Sequence, residues 1–373
     1  MIRRRLIIPL CLVLIAGACA SSDNANDDND YSSQMSSSSD ASPKSRYAAA
    51  AGESPVGAIP DAVLHDNDRN KDLTISIDYP TRGTAHPLIV FSPGFGGSNR
   101  GYIGLASWWA SNGYVVIRAS HADAGRVQDL RSLNDIWESQ TPSDWRNRVR
   151  DITFILDSLG TLEQRYPELA GKIDHARIGV GGHSYGAYTA MLVGGARTFP
   201  GGTSYADPRV KAIVAMSPQG PSETRGLTNE SFTTLRVPAL FMTGTMDRGV
   251  TDAETPDWRR QAFELSPAGD KWLAVLEGAT HATFTGRSDQ FLEMQAREQD
   301  AQIGRNTVVD PATGAIIEDR RPSRAQNMAL RARATFGTVR ALSLAFWDTY
   351  LGGDAKGREE LQRTRGNVEL KSK

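Results

Sequence analysis

With 373 residues, a formal net charge of −1 and 39% hydrophobic residues, the chain is long enough for one large α/β unit. It lacks the basic excess that a nucleic-acid surface needs, so no nucleic-acid partner is expected. Its two cysteines, Cys11 and Cys19, lie near the N-terminus, which excludes a disulfide framework and a thiol nucleophile from the rest. No H-E-x-x-H or C-x-x-C cluster marks a metal site, and no metal or other cofactor is expected.

Met1-Ile2-Arg3-Arg4-Arg5 is a basic start, and Leu6 to Ala18 is an apolar stretch too short to span a bilayer comfortably. Together they have the form of an export signal covering residues 1–18. Ile15-Ala16-Gly17-Ala18-Cys19 resembles a bacterial lipobox, with Ala16 where leucine is commonest. Two readings are open. In one, Cys19 is lipidated and holds the protein to a membrane of the cell envelope. In the other, cleavage at Ala16-x-Ala18 or Ala18-x-Ala20 frees a secreted or periplasmic protein. The polar tract that follows, and the lack of any other cysteine in the mature chain, favour lipidation. Losing residues 1–18 removes three arginines and takes the charge from −1 to −4. Residues 19–55 are rich in Ser, Asp, Asn and Ala and poor in large apolar side chains, the composition of a disordered tether.

The folded domain is expected over residues 56–355, followed by a polar tail over 356–373. Asp72 to Tyr79 alternates apolar and polar residues, as a half-buried antiparallel strand does. Pro87 to Ser92 is a continuous apolar run, the mark of a central strand covered on both faces. It ends in Pro93-Gly94-Phe95-Gly96-Gly97-Ser98, a loop at the edge where α/β sheets bind ligands. A helix is predicted over Tyr102–Ser111, with Ile103, Leu105, Ala106, Trp109 and Ala110 inward, then a strand over Tyr114–Arg118. The irregular stretch 119–144 offers His121, Trp137 and neighbouring Trp145 to the same edge, more as packing than as pocket. Trp145 to Leu159 reads as an amphipathic helix. Further strands are predicted over 177–181, 210–216, 237–243 and 272–276, the last of these being the final strand. The segment 218–235 reads as a lid or pocket wall. Residues 290–324 have no assignable pattern after their first turn. A final helix runs over Met328–Leu351, with Leu330, Phe336, Val339, Leu342, Phe346 and Trp347 on its apolar side. The alternation of strands and helices implies one doubly wound, mostly parallel sheet flanked by helices, with no repeat and no second domain.

The sharpest motif is Gly182-His183-Ser184-Tyr185-Gly186 between a strand and a helix. G-x-S-x-G in that setting is the pattern of a nucleophile elbow, where a serine sits in strained backbone and flanking glycines let strand and helix pass closely. A serine hydroxyl needs a base. His281 is the only histidine after Ser184, and it stands just past a predicted strand end. His183 adjoins the serine and reads as packing. The imidazole needs a carboxylate on its other nitrogen. Asp247 fits best, at the end of the strand between those of Ser184 and His281, with Asp252 and Glu254 as rivals. The backbone amides of Phe95 and Tyr185 are the expected oxyanion-hole donors.

Ser92-Pro93-Gly94-Phe95-Gly96-Gly97-Ser98 followed by Tyr102, Asn112-Gly113-Tyr114-Val115-Val116, the elbow itself and Phe346-Trp347-Asp348-Thr349-Tyr350-Leu351 together resemble the α/β-hydrolase superfamily. The likeness is to serine esterases such as platelet-activating-factor acetylhydrolase and the dienelactone-hydrolase-like proteins. It covers roughly residues 65–355 and implies ester hydrolysis through an acyl-enzyme, without a cofactor. Dienelactone hydrolases themselves use cysteine where Ser184 stands. Pro93 stands where many acetylhydrolases have histidine, and polyester-degrading cutinase-like enzymes share Pro-Gly there. The expected protein is an exported ester hydrolase acting on short-acyl, small or polymeric esters. A peptidase or acyltransferase on the same triad and a non-catalytic surface-binding lipoprotein are the alternatives.

Overall fold

The structure, a computed structural model, describes residues 46–47, 52–126, 142–249, 253–286, 307–309, 316–318 and 324–373. The chain divides into two units, Met1–Lys44 and Ser45–Lys373. The first lies outside the described residues, and with it the export signal, Cys19 and most of the expected tether.

Nine strands form one sheet: β1 (Val56–Asp66), β2 (Lys71–Pro80), β3 (His86–Ser92), β4 (Val115–Ser120), β5 (Ile173–His183), β6 (Val210–Met216), β7 (Ala239–Met246), β8 (Lys271–Thr280) and β9 (Val368–Ser372). Their order is β1-β2-β4-β3-β5-β6-β7-β8-β9. The six strands from β4 to β8 are parallel, and antiparallel pairings at β1–β2, β2–β4 and β8–β9 close the two sides.

The apolar run of β3 shows why the sheet takes helices on both faces. Leu88 and Val90 join one core cluster and Ile89 and Phe91 the other, as the two-residue period of a strand requires. The first face is covered by α2 (Pro142–Asp157), α3 (Leu159–Arg165), α4 (Tyr185–Val193) and α5 (Pro256–Glu264). The second is covered by α1 (Ile103–Ser111) and α6 (Arg324–Trp347). There Trp109 and Trp347 meet edge to face at 6.1 Å, and Trp109 Nε1 donates to Ser343 Oγ at 3.1 Å. Large aromatic pairs of this kind supply much of a core's apolar burial.

Several expectations change. Ile103 and Leu330 were read as inward but are exposed, at the first turns of their helices, where little of the chain lies above them. The segment 356–373 is more than a tail: α7 (Ala355–Gln362) leads into β9, which pairs with β8. Its charged side chains conceal it because an edge strand needs few apolar residues. The tether docks before residue 55: Tyr47 is buried, Arg46 Nε lies 3.2 Å from Asp348, and the Gly52 and Ser54 amides bond to Ser111. Segment 218–235 is packed against the core through buried Arg225, Leu227, Phe232 and Leu235, and Tyr188 Oη donates to the Arg225 carbonyl. Within 290–324, the described residues include a pair of short strands, Thr307–Val309 and Ile316–Glu318.

Candidate active site

β5 ends at a sharp turn. Ser184 has φ 55° and ψ −119°, a region that non-glycine residues rarely occupy, at a cost of about 1–3 kcal/mol. The surroundings hold it there. A Cβ on Gly182 would collide with the Gly186 carbonyl, and one on Gly186 with the carbonyl of Ser92. The Ser184 amide donates to Met216 O at 2.8 Å, tying the turn to the end of β6. α4 starts at Tyr185, so its first amides have no intrahelical acceptor and face the serine with the positive end of the helix.

Two strands away β7 ends, and Asp247 follows it, fully buried. Thr243 Oγ1 donates to Asp247 Oδ2 at 2.9 Å, and His281 Nδ1 lies 2.9 Å from Oδ1. A carboxylate on Nδ1 sets the tautomer and leaves Nε2 as the free, basic edge. The His281 side chain is one-third exposed, at 33%. The buried guanidinium of Arg259, on α5, stands on the other side of the carboxylate. Its Nε is 3.1 Å from Asp247 Oδ1, its Nη1 donates to Ser217 O at 2.9 Å, and its Nη2 is 3.3 Å from His281 Nδ1. Burial alone would raise the Asp247 pKa, but the His281 hydrogen bond and the Arg259 charge outweigh it and hold the carboxyl below its ordinary value.

His183 is buried beside this pair, its ring 4.6 Å from that of His281 and its Nδ1 2.8 Å from the Tyr102 hydroxyl. Burial, reinforced by the nearby His281 and Arg259, keeps it well below the usual imidazole range and so neutral. Gly94 to Gly97 form a turn closed by the Gly97 amide on Gly94 O at 3.0 Å, and Gly96 takes the φ of 70° that such a turn requires. The Phe95 ring lies 6.2 Å from that of Tyr185.

The sequence-predicted residues therefore gather at the carboxyl ends of β3, β5, β7 and β8. Asp247 and His281 are hydrogen-bonded, and Phe95 and Tyr185 are neighbours. Among the described residues Ser184 Oγ makes no hydrogen bond, to His281 or any other group. Of the rival acids, Glu254 is paired with Arg225 at 2.8 Å, and Asp252 lies outside the described residues. His121 is buried, and Trp145 packs edge to face on Tyr188 at 5.8 Å; Trp137 lies outside the described residues. No three His, Cys, Asp or Glu side chains among the described residues are grouped as metal ligands would be.

Sequence reasoning missed the buried charges. Arg259 lies in line with buried Ala262 and Phe263 on α5. Arg148 and Asp151 share the stripe of Val149, Ile152 and Ile155 on α2. A charged residue at an apolar position of an amphipathic helix was the available signal. Neither a protein-family model nor a curated protein matches the chain.

Proposed function

We propose that the chain is a serine ester hydrolase with the α/β-hydrolase fold, acting on small, short-acyl esters through an acyl-enzyme. The reading rests above all on a serine in a positive-φ turn and a 2.9 Å His281–Asp247 pair at one edge of a parallel sheet. The antiparallel second strand and the β3–β4 crossover support the same fold. Ser184 Oγ attacks the ester carbonyl while His281 Nε2 takes its proton. The Phe95 and Tyr185 amides receive the oxyanion, and His281 returns the proton to the departing alcohol. Asp247 stabilises the imidazolium that forms. Water then repeats the sequence and frees the acid. The open Ser184 hydroxyl agrees with this, because such contacts often close only around substrate.

In the same reading Cys19 is lipidated and holds the enzyme at the cell envelope, and Cys19→Ala is expected to move it to the soluble fraction. The deciding experiment is hydrolysis of p-nitrophenyl esters from acetate to palmitate beside Ser184→Ala, with fluorophosphonate labelling of both proteins. Turnover greatest on acetate and labelling that depends on Ser184 are expected. Hydrolysis that survives Ser184→Ala would sink the reading.

A further inference from the structure

We infer that Arg148 and Asp123 are positioning residues that hold the two oxyanion-hole amides, Phe95 and Tyr185, in fixed relation; this rests on the ester-hydrolase reading above. Arg148 and Asp123 are both buried and form a two-pronged pair, Nε to Oδ1 at 3.0 Å and Nη2 to Oδ2 at 2.6 Å. The remaining guanidinium protons go to the loop after β3. Nη1 donates to Pro93 O at 2.9 Å and to Ser92 Oγ at 3.3 Å, and Nη2 to Gly94 O at 3.2 Å. Asp123 Oδ2 in turn accepts from the Gly96 amide at 2.8 Å. The face of the guanidinium lies 4.4 Å over the Tyr185 ring.

This arrangement orients one peptide in particular. In a planar trans peptide the C=O and N–H point opposite ways. Gly94 O is drawn inward to Arg148, so the N–H of the next residue, Phe95, is turned away from it. The Gly94, Gly96 and Gly97 amides are each bonded within the protein, and no group among the described residues accepts from Phe95 N–H. The same side chain that turns Phe95 outward rests on Tyr185, which carries the second donor. One buried cation thus sets the spacing of both. Its charge is matched by Asp123, and burial, which alone would raise that carboxyl, is outweighed by Arg148. An aliphatic side chain in place of Arg148 fills the volume but binds neither carbonyl.

The test compares Arg148→Lys and Asp123→Asn with the wild type on p-nitrophenyl acetate. Lysine keeps the charge without the fork, and asparagine keeps the shape without the charge. Folding is checked by circular dichroism and melting temperature, so that Asp123→Asn decides if Arg148→Lys does not fold. A kcat lower by about 10- to 100-fold with little change in KM is expected, somewhat less than the loss of a donor outright. Affinity for an aryl trifluoromethyl ketone, whose serine adduct carries an oxyanion, is expected to fall in step with kcat/KM. Affinity for the matching methyl ketone is expected to hold. Folded variants with wild-type kcat would overturn the inference, as would a lower kcat with undiminished trifluoromethyl ketone affinity. Failure of the underlying reading looks different: hydrolysis that Ser184→Ala leaves intact, which sinks both.

Discussion

Two serine–histidine–aspartate sets lie in this molecule, and by hydrogen bonding alone the wrong one is better formed. Ser92 Oγ is 2.9 Å from His121 Nε2, and His121 Nδ1 is 2.9 Å from Asp151 Oδ2. Ser184, His281 and Asp247 have only the second of these links. The difference lies in access and backbone. The side chains of His121 and Asp151 have no exposed surface, and Ser92 is sealed at the end of β3. Asp151 also binds Arg69 at 2.6 Å and Lys71 at 2.7 Å, and burial keeps His121 below its usual range, hence neutral. The chain from Arg148 through Ser92 and His121 to Asp151 is closed, with every proton placed. At Ser184 the strained turn presents an unengaged hydroxyl, and His281 is partly exposed. Connectivity builds a rigid support; a reactive set needs an open edge.

The largest expected effect separates the two serines. Ser184→Ala is expected to lower kcat by about 10⁴-fold or more. Ser92→Ala is expected to keep fluorophosphonate labelling at Ser184 and to lose roughly 1–3 kcal/mol of stability, because His121 Nε2 is left buried without its donor. A Ser92→Ala protein of unchanged melting temperature that no longer labels would reverse the comparison.

Next come the two aspartates. Asp247→Asn is expected to reduce kcat by about 10⁴-fold by favouring the wrong tautomer of His281, with little change in melting temperature. Asp151→Asn is expected to do the opposite. It leaves Arg69 and Lys71 uncompensated near a buried site, a loss of about 3–5 kcal/mol. For a domain of this size that corresponds to a melting temperature lower by roughly 10 °C. Calorimetry beside ester kinetics on the two variants gives the answer.

These contrasts also mark how far the sequence carried. The central strands were legible because apolar runs bounded by Gly and Pro have few other uses. Val210–Met216 appears with the boundaries expected. Gly182-x-Ser184-x-Gly186 was legible because the collisions at both glycines permit no other residue. The pairing of Asp247 with His281, rather than of Glu254, needed three dimensions: both acids follow β7, and only the fold gives Glu254 to Arg225. β9 was hidden because its residues are polar, and the Ser92–His121–Asp151 set because its members come from β3, the loop after β4, and α2. Single-sequence periodicity does not report which distant charges meet.

The smallest effect is in acid. Burial would raise Asp151, but the hydrogen bonds and charges of His121 and Lys71 prevail and lower it to about 2. Between its ordinary value near 4 and about 2 the unfolded chain binds the proton and the folded one does not. Stability is therefore full above pH 5 and falls as pH drops through that window. Asp123 and Asp247 are lowered too and add to the slope in the same direction. Asp151→Asn removes one of the three, on the order of 2 kcal/mol across the window. Urea midpoints at pH 5, 4 and 3 are expected to fall less steeply for Asp151→Asn than for the wild type, so the gap between them narrows with acid. Equal slopes would mean that Asp151 is not held ionised by the sealed set, and its contrast with the open one would then rest on access alone.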